Sequence, residues 1–198
     1  MPARKHLIAL ILLIFSGYGL AGATTLDPEG LIRPDLLASA LAAGDRAAPE
    51  AAATGRLVVV DYSQHSSAKR LYVVNLETGA VTAYRATHGR GSDPDHDGFL
   101  NSFSSEPGSN ASPEGAFRLA EQYHGQHGRS VRLDGLDETN RTARARAIVL
   151  HAADYAEPEH LARHGMLGRS FGCIVFSAAD LSAFIDDVPQ GTLIFVGK

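Results

Sequence analysis

The sequence predicts a mainly β domain, either a β-sandwich or a small barrel, that carries a few short helices. Short apolar runs recur between residues 57 and 196, and clusters of Gly, Pro, Asp and Ser separate them. Only three segments have helical character, so strands outnumber helices. With 198 residues, of which 44% are hydrophobic and 20% charged, the chain is long and apolar enough to bury one core.

In the chain after residue 23, the first predicted element is a short helix over residues 35–43, which follows Pro34. An Ala-, Pro- and Gly-containing linker is predicted over residues 45–54. We therefore divide residues 24–198 into an Ala-rich helix and linker at residues 24–55 and a domain at residues 56–198.

The rest of the domain is an alternation of short strands, turns and two further helices. A turn at residues 77–79 joins two β-rich runs into a hairpin, and residues 88–110 form a long loop rich in Gly, Ser, Asp and Pro. Strands are predicted at residues 57–60, 70–75, 80–86, 116–122, 130–133, 147–150, 174–176 and 192–196, and helices at residues 158–164 and 178–187.

Residues 1–23 have the pattern of a secretory signal peptide. Basic residues at positions 4–6 precede a largely apolar run over residues 7–20, and the small residues 21–23 follow. The alternative is a membrane anchor, but 14 residues at about 1.5 Å each fall short of a hydrocarbon core of about 30 Å. We therefore expect an exported protein with no stable membrane insertion after cleavage.

The charge and cysteine content exclude several classes of protein. A formal net charge of −4 argues against non-specific nucleic-acid binding, because that binding requires Lys and Arg to neutralise phosphates. A single cysteine cannot form an internal disulfide or a Cys-rich zinc site. We expect no nucleic-acid partner.

The single cysteine, Cys173, is a candidate nucleophile. Gly172 removes side-chain bulk beside the sulfur, so a substrate backbone can approach closely. A thiol attacks as the thiolate and needs a neighbouring base or cation, and His151, at the end of an apolar run, is the best candidate. The alternatives are a small buried hydrophobic cysteine and a histidine that is hydrogen-bonded in the core.

Other histidines are compatible with metal binding but lack a complete ligand set. His160 and His164 are four residues apart on a predicted helix, yet Leu161 stands where zinc proteases have their glutamate. His124 and His127 lie in a Gly-rich loop with no evident third ligand. A solvated helix face and a plain loop are the favoured interpretations.

Three segments together resemble the murein L,D-transpeptidase catalytic-domain family, which comprises exported bacterial cysteine enzymes. The hairpin over residues 70–86 with the following His-Gly is similar to the family's opening strands, and residues 112–117 are close to its Thr/Ser-Pro-x-Gly-x-Phe motif. His151 with the Ser-Phe-Gly-Cys of residues 170–173 resembles the family signature. The resemblance covers about residues 57–197, and the long loop is most similar to the branch with an insert there.

The sequence departs from this family pattern at several positions. Phe171 stands where the family has a second histidine, and Val175 replaces an arginine that often follows the cysteine. Ala152 follows His151 where Gly or Ser is usual, and 18 residues separate His151 from Ser170. The first two departures concern substrate contacts rather than the nucleophile.

The resemblance implies a reaction on peptidoglycan stem tetrapeptides in the periplasm or cell envelope of a bacterium, without a cofactor or metal. Cys173 would attack the carbonyl before the terminal D-Ala, and His151, as an imidazolium paired with the thiolate, would protonate the leaving amine. An amine acceptor gives a 3→3 crosslink, and water gives L,D-carboxypeptidase activity. The backbone N–H groups around Gly172 and Cys173 are the expected oxyanion hole, and Ser170 is expected to stabilise the loop. Ala152 or Asp154 would orient His151, and Arg169 and Phe171 would bind substrate.

Two other functional classes remain open at the level of sequence. One is a catalytically inactive exported β-sandwich module in which Phe171 closes the site, and the other is a cell-wall cysteine amidase or endopeptidase. A reactive thiol separates the first from an enzyme, and product masses separate the second.

An acidic loop offers a less favoured calcium site. Asp93, Asp95 and Asp97 alternate, with Gly98 at the sixth position, as in the first half of an EF-hand loop. The twelfth position is Ser104 rather than glutamate, and flanking helices are missing. A solvated turn is the favoured interpretation.

Overall fold

The computed structural model describes residues 24–47 and 54–198. Within these ranges the helices are α1 (Pro34–Arg46), α2 (Pro158–His164) and α3 (Ala178–Asp187). The strands are β1 (Arg56–Asp61), β2 (Leu71–Asn75), β3 (Val81–Tyr84), β4 (Gly115–Gly125), β5 (Gly128–Gly135), β6 (Val149–Ala152), β7 (Ile174–Phe176) and β8 (Leu193–Gly197). The predicted signal segment at residues 1–23 and most of the predicted linker lie outside the described residues.

The eight strands of the described chain form one mixed sheet in the order β3-β2-β1-β8-β4-β5-β6-β7. The pairs β1/β8 and β6/β7 are parallel, and the other neighbours are antiparallel. The two edges of the sheet approach each other, because Thr87 N donates to Val175 O at 3.0 Å and the rings of Tyr84 and Phe176 lie 6.2 Å apart. The sheet is therefore strongly curled, and the predicted mainly β class is confirmed.

Both faces of the central strand β1 are buried. Its residues alternate, so that Val58 and Val60 join the core inside the curl while Leu57 and Val59 face helix α1 on the other side. Helix α1 contributes Leu36, Ala40 and Ala43, whose spacing places them on one face of the helix. The helix thus packs on the sheet of the domain that the sequence predicts over residues 56–198.

Some helix and strand boundaries in the structure differ from the predicted ones. Helices α2 and α3 have the predicted bounds, whereas α1 is longer than the predicted 35–43. The strand predicted over residues 147–150 begins later, because Ala147 has a left-handed backbone (φ 53°) and turns the chain before β6. His151 consequently lies inside β6 rather than after it.

A buried polar network crosses the interior next to strand β2. The guanidinium of Arg70, which is fully buried, donates to Ala86 O at 3.0 Å, Gln64 O at 2.8 Å and His88 Nδ1 at 2.8 Å. Since a guanidinium has no acceptor, His88 Nδ1 is unprotonated, and the Nε2–H of His88 donates to Asp93 Oδ2 at 3.1 Å. The network therefore joins a cation and an anion through a neutral imidazole.

This network makes the stability of the fold depend on pH. Burial, and next the charge of Arg70, lower the pKa of His88 from 6.5 to about 4. As the pH falls from about 6.5 to about 4, His88 binds a proton in the unfolded chain but stays unprotonated in the folded protein. The free energy of unfolding therefore decreases by up to about 3 kcal/mol. His88→Gln, which cannot titrate, should remove this part of the pH dependence.

Urea unfolding at about pH 7 and about pH 4.5 measures the effect. His124→Gln is the matched control, because His124 is exposed at the hairpin of β4 and β5. An equal loss of stability on acidification in the wild type and in His88→Gln would contradict the prediction.

Candidate active site

The sheet register brings Cys173 and His151 to one place. Cys173 directly precedes β7, and His151 in the parallel neighbour β6 pairs with Val175. Residues two positions apart on an extended chain share a face, so Cys173 lies on the same face as Val175. Cys173 and His151 are thus diagonal neighbours on adjacent segments, offset by roughly 7 Å along the strand direction. The thiol is half-buried and donates to Ala147 O at 3.6 Å rather than to the imidazole.

The backbone of β6 determines the tautomer of His151. The Nδ1 atom lies 3.0 Å from Ala152 O, and because a carbonyl can only accept, Nδ1 carries the proton. Nε2 is then the basic atom of this almost fully buried ring. Of the two orienting partners expected from the sequence, the structure brings Ala152 to His151, whereas Asp154 is exposed in the 3₁₀ turn Asp154–Ala156. The expectation for Asp154 is therefore wrong.

Burial disfavours the charged form of both groups. It raises the pKa of the Cys173 thiol, although the Val149 N–H and the Arg146 charge act in the opposite direction. Burial also lowers the pKa of His151, and Ala152 O opposes this while His127 adds to it. Burial thus favours a thiol and a neutral imidazole, and the thiolate–imidazolium pair stays an expectation.

The turn that carries the nucleophile is built around the Ser170 hydroxyl. Ser170 Oγ accepts from Gly172 N at 3.1 Å and donates to Cys173 O at 2.7 Å. The Gly172 N–H is therefore occupied, which contradicts its expected place in an oxyanion hole and leaves the Cys173 N–H as the candidate donor. Gly172 itself has φ 116°, a conformation that side chains other than glycine rarely adopt.

A second loop holds this turn in place. Ser170 N donates to His88 O at 2.9 Å, and Arg90 N donates to Ser170 O at 2.8 Å. On the other side, Ser112 Oγ accepts from Gly89 N at 2.9 Å and donates to Gly172 O at 3.4 Å. The buried His88 is thus directly continuous with the backbone that presents Cys173.

The two expected substrate contacts differ in their surroundings. Arg169 Nη1 donates to Asp93 O, and the expectation that Arg169 meets a substrate carboxylate stays a prediction. Phe171 is 64% exposed beside Cys173, and the guanidinium of Arg90 lies 4.5 Å from its ring centre. Phe171 therefore presents an apolar face to the entrance of the site.

A histidine from the hairpin of β4 and β5 covers the candidate base. The ring of His127 stacks on that of His151, with centroids 4.2 Å apart and an interplanar angle of 19°. His127 occupies the two-residue turn between Gly125 and Gly128. The sequence shows the glycine-flanked turn, but only the pairing of β5 with β6 brings its tip over His151.

A family model described as the L,D-transpeptidase catalytic domain matches residues 29–196. The chain belongs to this family. The match includes helix α1 and all of the sheet except the last residue of β8, and it confirms the resemblance drawn from the three sequence motifs. No curated protein matches the sequence of this L,D-transpeptidase catalytic domain.

Several solved structures are similar to this domain. An L,D-transpeptidase from Mycobacterium smegmatis matches with 18% identity over 73% of this chain and 59% of that chain, with a TM-score of 0.43. L,D-transpeptidase 3 from Mycobacterium tuberculosis matches with 16% identity, 73% and 61% coverage, and a TM-score of 0.46. Bd1075 from Bdellovibrio bacteriovorus matches with 16% identity, 73% and 48% coverage, and a TM-score of 0.46. This chain spans about half to three fifths of these proteins.

The geometry of this L,D-transpeptidase domain does not support the metal alternatives. The carboxylate of Asp93 is buried and already accepts from His88, Asp97 N and Gly98 N, whereas Asp95 and Asp97 are exposed. Within residues 24–47 and 54–198, no three His, Cys, Asp or Glu side chains form a group that could hold a metal ion. None of the helices in these ranges has the length and apolar character that crossing a membrane requires.

Gly172→Ala tests the turn of this L,D-transpeptidase domain that carries Cys173. An added Cβ would lie 2.7 Å from Ala111 O and 2.8 Å from Ile148 Cδ1, at a backbone φ that disfavours alanine. We expect a loss of about 1–3 kcal/mol in the free energy of unfolding, measured by urea denaturation, together with a slower reaction of the thiol with iodoacetamide.

The control for this substitution is Gly165→Ala. Gly165 also has a positive φ, but an added Cβ there would meet no atom within 4 Å. Its loss of stability should therefore be smaller, and the reactivity of Cys173 should not change. Equal effects of the two substitutions on the thiol would show that the packing around Gly172 does not position the nucleophile.

The stacked pair of histidines predicts a change in the titration of His151. His127→Phe keeps a flat ring in place but removes the titratable imidazole that helps to lower the pKa of His151. That pKa should therefore rise, which an NMR titration of the His151 ring measures. His124→Phe, at the exposed base of the same hairpin turn, should leave it unchanged, and equal titration curves for both variants would contradict the prediction.

Proposed function

We propose that this domain is a peptidoglycan L,D-transpeptidase in which Cys173 is the nucleophile and His151 carries the proton. The observation that carries the proposal is the strand register, which places a half-buried thiol on the segment next to an imidazole whose Nδ1–H is held by Ala152 O. This bond leaves Nε2 as the proton acceptor, which is the protonation state that a general base requires. Membership of the L,D-transpeptidase family supports the choice of reaction.

The first half-reaction transfers an acyl group to the protein. His151 Nε2 accepts the thiol proton while the sulfur attacks the carbonyl between the third residue of a stem tetrapeptide and its terminal D-Ala. The C–N bond then breaks, His151 returns the proton to the departing amine, and a thioester remains on Cys173. General base catalysis fits the neutral resting pair, because burial disfavours both charged forms.

The second half-reaction determines the product. An amine from a neighbouring stem attacks the thioester, which forms a 3→3 crosslink and restores the thiol. Water as acceptor instead releases a shortened stem, which is L,D-carboxypeptidase activity. Neither route needs a metal or an organic cofactor, and both place the protein in the bacterial periplasm or cell envelope, where stem peptides are found.

Substitution of the two proposed catalytic residues tests this function. Cys173→Ala should abolish release of D-Ala from purified tetrapeptide muropeptides, because no thioester can form. His151→Ala should lower the rate by roughly 10²–10⁴-fold, which is the usual contribution of general acid–base catalysis. Mass spectrometry of the products, and of the Cys173 thioester in the wild type, measures both effects.

The product masses also separate the alternative functions. Cleavage between sugar and peptide, or within the stem, would indicate a cysteine amidase or endopeptidase. Unchanged muropeptides together with an unreactive thiol would indicate an inactive exported module. Arg141→Gln, which removes an exposed arginine paired with Glu138, is a control that should retain full turnover.

A further inference from the structure

A groove of about 260 Å³ borders the turn that carries Cys173. Phe171, two residues before Cys173, forms one wall, and Arg146, which precedes the carbonyl that accepts the thiol, forms another. The rest of the lining consists of Pro107, Gly108, Asn110 and Ala145. Two walls of the groove thus come from residues next to the groups that carry or contact the sulfur.

Arg146 is held firmly but keeps free hydrogen-bond donors. Its Nη1 donates to Ser104 O at 2.8 Å and its Nη2 donates to Ala111 O at 2.6 Å. A guanidinium has five N–H donors, so three remain. Both partners are carbonyl oxygens, and the acidic groups that act on the charge of Arg146 are Cys173 and the exposed Glu106, neither of which is hydrogen-bonded to it.

The guanidinium of Arg146 lies close to the turn that carries Cys173. Arg146 Nη2 lies 3.1 Å from the point where a Cβ on Gly172 would stand, and Gly172 is the residue before the nucleophile. In a peptide that is cleaved before its last residue, the terminal carboxylate is only three covalent bonds from the carbonyl under attack. A cation that recognises this carboxylate must therefore lie next to the nucleophile, as Arg146 does.

We propose that Arg146 binds the terminal carboxylate of the donor peptide and is thereby a specificity-determining residue of this domain. This inference rests on the proposed function and adds the residue that recognises the donor's free carboxylate. The planar guanidinium suits a carboxylate, and a half-buried site strengthens the contact relative to water. Phe171 supplies the apolar wall against which the leaving residue packs.

Two donors that differ only in this charge test the proposal. One is a stem tetrapeptide that ends in a free D-Ala carboxylate, and the other is the same peptide with a D-Ala amide. The wild type should cleave the carboxylate donor with a kcat/KM roughly 10- to 100-fold above that of the amide. Arg146→Gln should bring the ratio close to one by slowing the carboxylate donor, and Arg146→Lys should retain part of it.

Other roles of Arg146 predict different results. If it only holds the loop at Ser104 and Ala111, or only favours the thiolate, Arg146→Gln lowers kcat/KM for both donors by the same factor. That outcome, or equal use of both donors by the wild type, overturns the proposal while the proposed chemistry stands. Arg141→Gln should leave the ratio unchanged, because Arg141 is exposed and paired with Glu138.

Calorimetric binding separates this proposal from the proposed function. In the Cys173→Ala protein, which cannot turn over, the carboxylate donor should bind roughly 10-fold more tightly than the amide, and Arg146→Gln should remove the difference. Equal Kd values overturn the carboxylate site. A difference in Kd in a protein whose wild type releases no D-Ala would support the site and overturn the transpeptidase reaction.

Discussion

The position of Cys173 depends on one buried constraint, the hydrogen-bonded chain from Arg70 through His88 to Asp93. Arg70 and Asp93 are fully buried charges that are acceptable only because each is multiply hydrogen-bonded. The same His88 accepts at its carbonyl from Ser170 N, so the network ends on the turn that carries Cys173. Loss of one partner would therefore affect both the stability of the fold and the position of the sulfur.

The electrostatics of the site follow from its burial. Burial disfavours the charged form of the thiol and of the imidazole. The groups that influence the pKa values of the two come from three different elements. His127 of the β4–β5 hairpin faces His151, Arg146 lies beside Cys173, and Val149 N–H points to the sulfur.

Several polar groups that the sequence suggested for chemistry have structural partners. Asp93 accepts hydrogen bonds that close its own loop. Arg169 donates to the carbonyl of that same residue, and Asp154 is exposed. Phe171 and Arg146 are among the residues that line the groove bordering the turn of Cys173.

Local sequence was sufficient for the features whose causes are local. The apolar runs predicted the strands, the bounds of helices α2 and α3 came from their own caps and periodicity, and a cysteine after glycine in the Ser-Phe-Gly-Cys turn indicated the nucleophile. The family motifs likewise depend on short segments in a fixed order. Strand β6 was misplaced by two residues, because the left-handed turn at Ala147 depends on its surroundings.

The remaining features depend on contacts between segments far apart in the chain, and only the tertiary structure decided them. Arg70 meets His88 across a hairpin, His127 reaches His151 because β5 pairs with β6, and Arg146 reaches the groove by hydrogen bonds to residues 104 and 111. Residue type alone did not distinguish Arg146 from Arg169 or His127 from His124. Which of each pair faces the site is determined by strand register and by the hydrogen bonds that each loop must satisfy when it is buried.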